Sequence, residues 1–260
     1  MLRPRIIPCL LVKDKGLVKT TNFKNPKYVG DPINAVKIFN EKEVDELMIF
    51  DIDATKEKRE PDYVMIEKLA EECRMPLCYG GGVTTAAQVQ RIVQLGVEKV
   101  AVSSAAMQNS DLVSKASDLV GRQSVVVVLD IKKSFLGRKY EVWTRNGKRN
   151  TGNAPVELAQ EMEKHGAGEI VINSVDNDGL MKGYDLPLAA KIREVIHIPL
   201  TILGGAGSLN DIGILINRFG TIGAAAGSLF VFKGVYRAVL INYPNRSEKD
   251  SLVSQNFHIN

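Results

Sequence analysis

Residues 46–53 read Glu-Leu-Met-Ile-Phe-Asp-Ile-Asp, and residues 169–176 read Glu-Ile-Val-Ile-Asn-Ser-Val-Asp. Each is an acid, a short apolar run rich in β-formers and a closing aspartate. At the same offset, roughly 120 residues, Gly81-Gly82 recurs as Gly204-Gly205, and Ser103-Ser104 as Gly227-Ser228. The chain therefore uses one supersecondary unit twice. Working outward, six further runs of this type appear: RIIPCLLV from Arg5, PLCYGGG from Pro76, KVAVSS from Lys99, SVVVVLD from Ser124, PLTILGG from Pro199 and IGAAAG from Ile222. Apolar spacing between the runs predicts helices, for example over Asp31–Phe39, Thr85–Leu95 and Pro155–His165, with Gly96, Gly166 and Gly220 as C-terminal caps. Eight strands alternating with helices imply a parallel sheet, and eight is the number that closes. The expected fold is α/β: a single (β/α)8 TIM barrel over residues 1–241, made of two repeated four-stranded half-barrels, followed by a polar C-terminal tail over 242–260. The length of 260 residues suits one such barrel, which typically takes ~250.

Composition excludes several classes. Hydrophobic residues make up 45% and charged residues 25%, ordinary usage for a soluble chain. The opening MLRPR looks like the start of a signal peptide, but the apolar run Ile6–Val12 ends at Lys13 without a small-residue cleavage site. No apolar run approaches the ~20 residues of a spanning helix, so no membrane role and a cytoplasmic location are expected. Cys9, Cys73 and Cys78 are an odd number with no metal-like spacing, which fits a reducing compartment; no metal and no cofactor are expected. His165, His197 and His258 are isolated. The net charge of +4 is spread along the chain, giving no support to nucleic-acid binding. The basic stretch Lys132–Arg149, with Phe135, Tyr140 and Trp143, alternates around Asn146-Gly147 and reads as a hairpin inserted after a strand.

Two groups of residues carry candidate chemistry. Gly80, Gly81 and Gly82 adjoin Ser103 and Ser104, and their repeat mates Gly204, Gly205, Gly227 and Ser228 occupy the opposite side, joined by Asp178-Gly179. Glycine-rich strand ends at the C-terminal face of a barrel present backbone N–H groups to phosphate, so two clusters imply a ligand with a phosphate at each end. The competing reading is that the glycines only let helices pack closely. At the N-terminal strand ends stand Arg5, Glu46, Lys99 and Glu169, two cations and two anions that can pair inside the barrel bottom. They read either as solvated end caps or as a closable entrance.

Over about residues 1–240 the chain resembles the cyclase subunit of imidazole glycerol phosphate synthase. The matching stretches are RIIPCL-VKD, V-K-TNF-N----GDP, DELMIFDI-A, GGGV, NTG, GAGEI, D-DG---GYD and GGAG. The resemblance implies a glutaminase partner docked on the lower, N-terminal barrel face, ammonia passing a four-residue gate, and product formed at the upper face. Arg5, Glu46, Lys99 and Glu169 match all four gate residues, and Glu98 and Lys99 become candidate contacts for the glutaminase.

The family's chemistry uses two aspartates. Asp130 matches the second, but the family's C-L-D-V-K reads Cys9-Leu10-Leu11-Val12-Lys13 here, so Leu11 replaces the partner acid. An isobutyl group carries no proton, and the general acid–base term of about 10²–10⁴-fold goes with it. Ser103 replaces an amide and Ala101 a hydroxyl; Asp14, three residues beyond Leu11, is the available substitute acid. The pattern is similar to second-copy paralogues that supply ammonia to a separate ATP-dependent amidotransferase for acetamidino sugars of surface polysaccharide. The expectation is such an ammonia-conducting subunit binding a phosphate-bearing small molecule. Alternatives are an authentic cyclase (a lyase) of histidine biosynthesis, a binding module that conducts nothing, and the related sugar-phosphate isomerase barrel.

Overall fold

The computed structural model describes residues 3–134 and 139–254; Phe135, His258 and the end of the tail lie outside the described residues. Eight strands form the barrel: β1 (Arg5–Lys13), β2 (Leu47–Asp51), β3 (Leu77–Gly80), β4 (Lys99–Val102), β5 (Val125–Lys133), β6 (Glu169–Ser174), β7 (Leu200–Leu203) and β8 (Gly223–Ala226). Each pairs in parallel with the next, and β8 returns to β1 with Arg5 opposite Gly223 and Ile7 opposite Ala225. The expected (β/α)8 barrel is what forms.

Among the described residues, seven helices of at least eight residues alternate with the strands: α1 (Pro32–Glu41), α2 (Tyr63–Glu72), α3 (Ala86–Gln94), α4 (Asp111–Val120), α5 (Pro155–Lys164), α6 (Leu186–Arg193) and α7 (Leu209–Phe219). Their starts repeat with the strands. Asp62 caps α2 by accepting from Met65 N, and Asp185 caps α6 by accepting from Leu188 N, both at 3.1 Å. Thr85 and Gln88 make a capping box on α3, and Ser208 and Asp211 make one on α7. Gly96 and Gly166 take φ of +99° and +98° just past α3 and α5, the left-handed turn that ends a helix.

Two apolar shells result from strand alternation. The larger fills the space between sheet and helices, with Leu10, Ile49, Val100, Val127, Ile172 and Ile202 facing outward from the strands. The smaller lies inside the barrel: Ile7, Cys9, Met48, Cys78, Ala101, Val126, Val128, Val171, Leu203 and Ala225, with Phe50 packed against it.

Two insertions cover the upper, C-terminal face. After β1 the chain forms an antiparallel hairpin, Gly16–Thr21 with Lys24–Gly30. After β5 the expected hairpin forms between Tyr140–Thr144 and Arg149–Asn150, with Trp143 paired back to Asp130. The segment expected as a tail is structured through residue 254. It forms α8 (Arg246–Ser254), and Tyr243 packs on Phe230 while its hydroxyl donates to Ile6 O at 2.8 Å and accepts from Asp45 N at 3.2 Å. The polar composition of 242–254 concealed this docking, because one aromatic ring supplies much of the anchor.

Candidate functional site

At the lower face the fold brings the four charged strand-end residues into one closed ring. Arg5 bonds Glu46 and, at 2.7 Å, Glu169; Lys99 Nζ lies 2.8 Å from a carboxylate oxygen of each. Glu46 and Glu169 are buried, and Thr201 Oγ1 donates to Glu169. Two carboxylates out of water are costly, and this ring offsets the cost by giving each one two cationic partners. Burial opposes ionisation of Glu169, but Arg5 and Lys99 overcome it and hold the carboxyl down at about 2. The Lys99 ammonium, which burial alone would weaken, is raised by Glu169 and Glu46. The ring is net neutral and shut.

Above it the inner shell is apolar and uncharged. Cys78 lies on the layer nearest the ring, and burial, reinforced by Glu46 and Glu169, holds its thiol well above the ordinary range. Cys9, one layer up, is pushed to about 12 by burial. Both thiols are therefore protonated at neutral pH. The side chains packed between ring and mouth present methyls, methylenes and neutral thiols.

Above this shell lies a cavity of about 190 Å³ under the upper face, floored by Cys9, Phe50, Ala101, Val128 and Leu203. Leu11 and Asp130 both line it, Leu11 from β1 and Asp130 from β5. Asp130 Oδ1 accepts from Asn173 Nδ2 at 2.9 Å. Burial raises the Asp130 carboxyl to about 7, the Asn173 bond works against that rise, and Asp178 adds to it. No second acid meets Asp130 across the cavity at position 11. Asp14 lies outside the lining, its side chain 77% exposed and paired with Lys13 at 3.1 Å.

The two glycine clusters are structurally equivalent and differently exposed. A Cβ on Gly81 would lie 2.5 Å from Asp51 O, and one on Gly204 would lie 2.5 Å from Ser174 O. The fold itself thus requires both pairs, at φ of +127° and +94°. Gly81, Gly82, Ser103 and Ser104 line the cavity; Gly204, Gly205 and Ser228 do not. Lys19 stands between: a Cβ on Gly227 would meet its Cε at 2.8 Å. Its ammonium bonds Asp178 Oδ1 at 2.7 Å, and Thr20 Oγ1 donates to Asp178 Oδ2 at 3.0 Å. Asn22 N donates to Asp178 O at 2.9 Å, while a Cβ on Gly179 would lie 2.5 Å from Thr20 O. The β1 hairpin is thereby clasped across the second cluster.

Sequence reading missed Lys19, Thr20 and Asn173. Lys19 and Asp178 are 159 residues apart, and nothing local in either signals the other. Among the described residues no group of three His, Cys, Asp or Glu is placed to hold a metal, and no helix is long and apolar enough to cross a membrane.

The family model described as histidine biosynthesis protein matches residues 5–237. The chain belongs to that family, with the imidazole glycerol phosphate synthase HisF subunits. A Vibrio vulnificus protein provisionally named imidazole glycerol phosphate synthase subunit hisF3 is 56% identical over 96% of both chains. A Pseudomonas aeruginosa protein provisionally named subunit hisF2 is 50% identical over 96% of this chain and 99% of its own. The Streptococcus sanguinis protein named imidazole glycerol phosphate synthase subunit HisF is 39% identical over 88% of this chain and 91% of its own.

Proposed function

We propose that this HisF-family barrel is the conducting subunit of a glutamine amidotransferase complex: a glutaminase docks on the lower face and its ammonia passes through the barrel to the upper face. The observation that carries the reading is the closed, neutral ring of Arg5, Glu46, Lys99 and Glu169 beneath an uncharged interior. A solvated set of end caps has no need to bury two carboxylates. Opening requires the ring to separate, which couples passage to docking of a partner. Neutral ammonia, not ammonium, suits the interior, because an unpaired ion there is strongly disfavoured.

The upper face holds a phosphate-bearing small molecule against Gly82, Ser103 and Ser104, with Asp178, Gly179, Gly204, Gly205, Gly227 and Ser228 as the second cluster once Lys19 moves. Asp130 is the candidate catalytic acid, since Asp178 is tied up by Lys19 and Thr20 and Asp51 caps the turn at Asp53 and Ala54, and Leu11 leaves it without the partner acid of the family pattern. The ammonia therefore serves a different enzyme, an ATP-dependent amidotransferase forming acetamidino sugars for surface polysaccharide. Greater identity to the Vibrio hisF3 and Pseudomonas hisF2 proteins than to the Streptococcus HisF supports a second-copy role.

An authentic cyclase is the second reading, favoured by Asp130 poised at about 7, where a carboxyl serves as acid or base. The deciding assay supplies purified protein with ammonia and the bisphosphate substrate of the HisF reaction. Background-level turnover is expected, together with stimulation of the glutaminase on mixing. Turnover at ordinary enzyme rates, and rescue of a cyclase-deficient histidine auxotroph, would replace the first reading with the second.

A further inference from the structure

The loop after β8 carries a feature the conduit itself does not use. Past the short helix Ser228–Val231 the chain makes a tight hairpin, Phe232–Lys233 against Ala238–Val239, and its turn presents Val235 and Tyr236, each 96% exposed. The turn is held in place: Arg237 Nη2 donates to Gly179 O at 2.6 Å, and Lys27 Nζ donates to Arg237 O at 3.1 Å and stands 5.1 Å from the Phe232 ring centre. Both anchors border the mouth. Gly179 follows Asp178, and Lys27 belongs to the hairpin that carries Lys19 and Phe23; Asp178, Lys19 and Phe23 all line the cavity. Tyr28, next to Lys27, is 65% exposed.

The two segments of this rim carry only cations of their own, although Lys19 is neutralised by Asp178 and Lys15 faces Asp62 at 4.0 Å. Residues 15–30 hold four lysines and no acid, and residues 232–245 hold Lys233 and Arg237 and no acid, in a chain whose net charge is only +4. The fold thus sets Lys27, far away in sequence, with Lys233 and Arg237 beside a protruding apolar pair. Adjacent exposed apolar side chains rimmed by charge mark an interaction surface.

We propose that this rim docks the enzyme that consumes the ammonia, through an acidic surface on that enzyme with an apolar socket for Val235 and Tyr236; the inference rests on the conduit reading above. Ammonia leaving an open mouth exchanges with bulk water, so the conduit is useful only when its receiver closes over the exit. Apolar contact excludes water at the seam, and the lysines accelerate encounter with an acidic partner. A membrane is the weaker match: Val235 and Tyr236 offer less apolar surface than a single myristoyl chain, which by itself anchors only marginally.

The test combines this chain, the glutaminase and the ATP-dependent amidotransferase, all purified, with glutamine or with ammonium chloride. The double variant Val235→Ser/Tyr236→Ser, confined to an exposed turn, is expected to lower glutamine-supported product at least about tenfold. Ammonium-supported product and glutaminase stimulation stay at wild-type levels. Lys24→Glu/Lys233→Glu is expected to slow association at low salt and to lose that effect at high salt. Unchanged glutamine-supported product in the turn variant overturns the docking surface; if Lys99→Met still uncouples the same assay, the conduit survives that failure. Loss of coupling in neither variant removes both readings. Turn-dependent binding to phosphatidylglycerol vesicles, with transfer unaffected, assigns the rim to a membrane and also overturns the proposal.

Discussion

At the scale of single residues, Leu11 and Asp130 define what the upper cavity can do. They occupy equivalent places in the two half-barrels, yet one is an isobutyl group and the other a half-buried carboxyl raised to about 7. A carboxyl whose folded pKa lies above its unfolded value binds its proton more tightly in the folded chain. The stability it contributes is complete below about pH 4 and is lost as pH rises toward 7. Asp130→Asn should therefore be more stable than wild type at pH 8 by on the order of a few kcal/mol and nearly equal to it at pH 4. Urea unfolding at the two pH values measures the difference; equal midpoint shifts at both would mean that the carboxyl is not perturbed. Leu11→Asp should push Asp130 higher still, since like charges across one cavity cannot both ionise cheaply, a shift readable by carbon-detected NMR of the carboxyl.

At the scale of elements, the repeat is visible in the caps as much as in the strands. Asp62 and Asp185, and the boxes at Thr85 and Ser208, stand at one offset because each half must start its helices at the same height above its sheet. Ser208→Ala should cost about 1 kcal/mol, within the usual 0.5–2 for losing an N-cap, measured by thermal unfolding. The β1 hairpin is clasped to the other half chiefly at Asp178, whose carboxylate is bonded by Lys19, Thr20 and Phe23 N, with Asn22 on Val175 O and Asp176 O and Lys27 on Arg237 O as further ties. Asp178→Ala should free this clasp, raising amide exchange over residues 16–30 by at least tenfold while the barrel strands remain protected. Tyr243 plays the same part for the C-terminal segment. Tyr243→Phe leaves Ile6 O and Asp45 N without their partner and should cost about 1–3 kcal/mol, with earlier proteolysis after residue 242 as the readout.

At the scale of the molecule, a barrel turns alternation along strands into layers across an interior. The layers here run from a paired ionic ring, through methyls and neutral thiols, to a polar mouth where Asp130 faces Leu11 across the cavity. The ring responds to acid in the opposite sense to Asp130. Glu169 is held below its unfolded value, so its contribution is present above about pH 4.5 and lost as pH falls toward 2. Wild type should accordingly lose stability steeply below pH 4.5, and Lys99→Met, which removes one cation from both carboxylates, should begin that loss at higher pH. Acid titrations followed by circular dichroism distinguish the two curves; coincident curves would mean that Lys99 does not hold the ring.

The sequence by itself determined the eight strands, their alternation with helices, the twofold repeat and the presence of two acids and two bases at the strand starts. These follow from periodicity and from residue types that act over a few neighbours. It also exposed the loss at Leu11, because an apolar residue where its repeat mate is an aspartate needs no coordinates to be seen. Only the tertiary structure decided that the four charges close on one another, that Lys19 and Asp178 cover one glycine cluster and leave the other open, and that scattered lysines meet an apolar turn at one rim. Contacts between residues 40 to more than 200 positions apart depend on the closure and register of the barrel, and no local pattern encodes them. The polar stretch after residue 242 shows the same division: its composition predicts solvent exposure, while Tyr243 on Ile6 O and Lys249 on Asp45 fix it beside the base of β1.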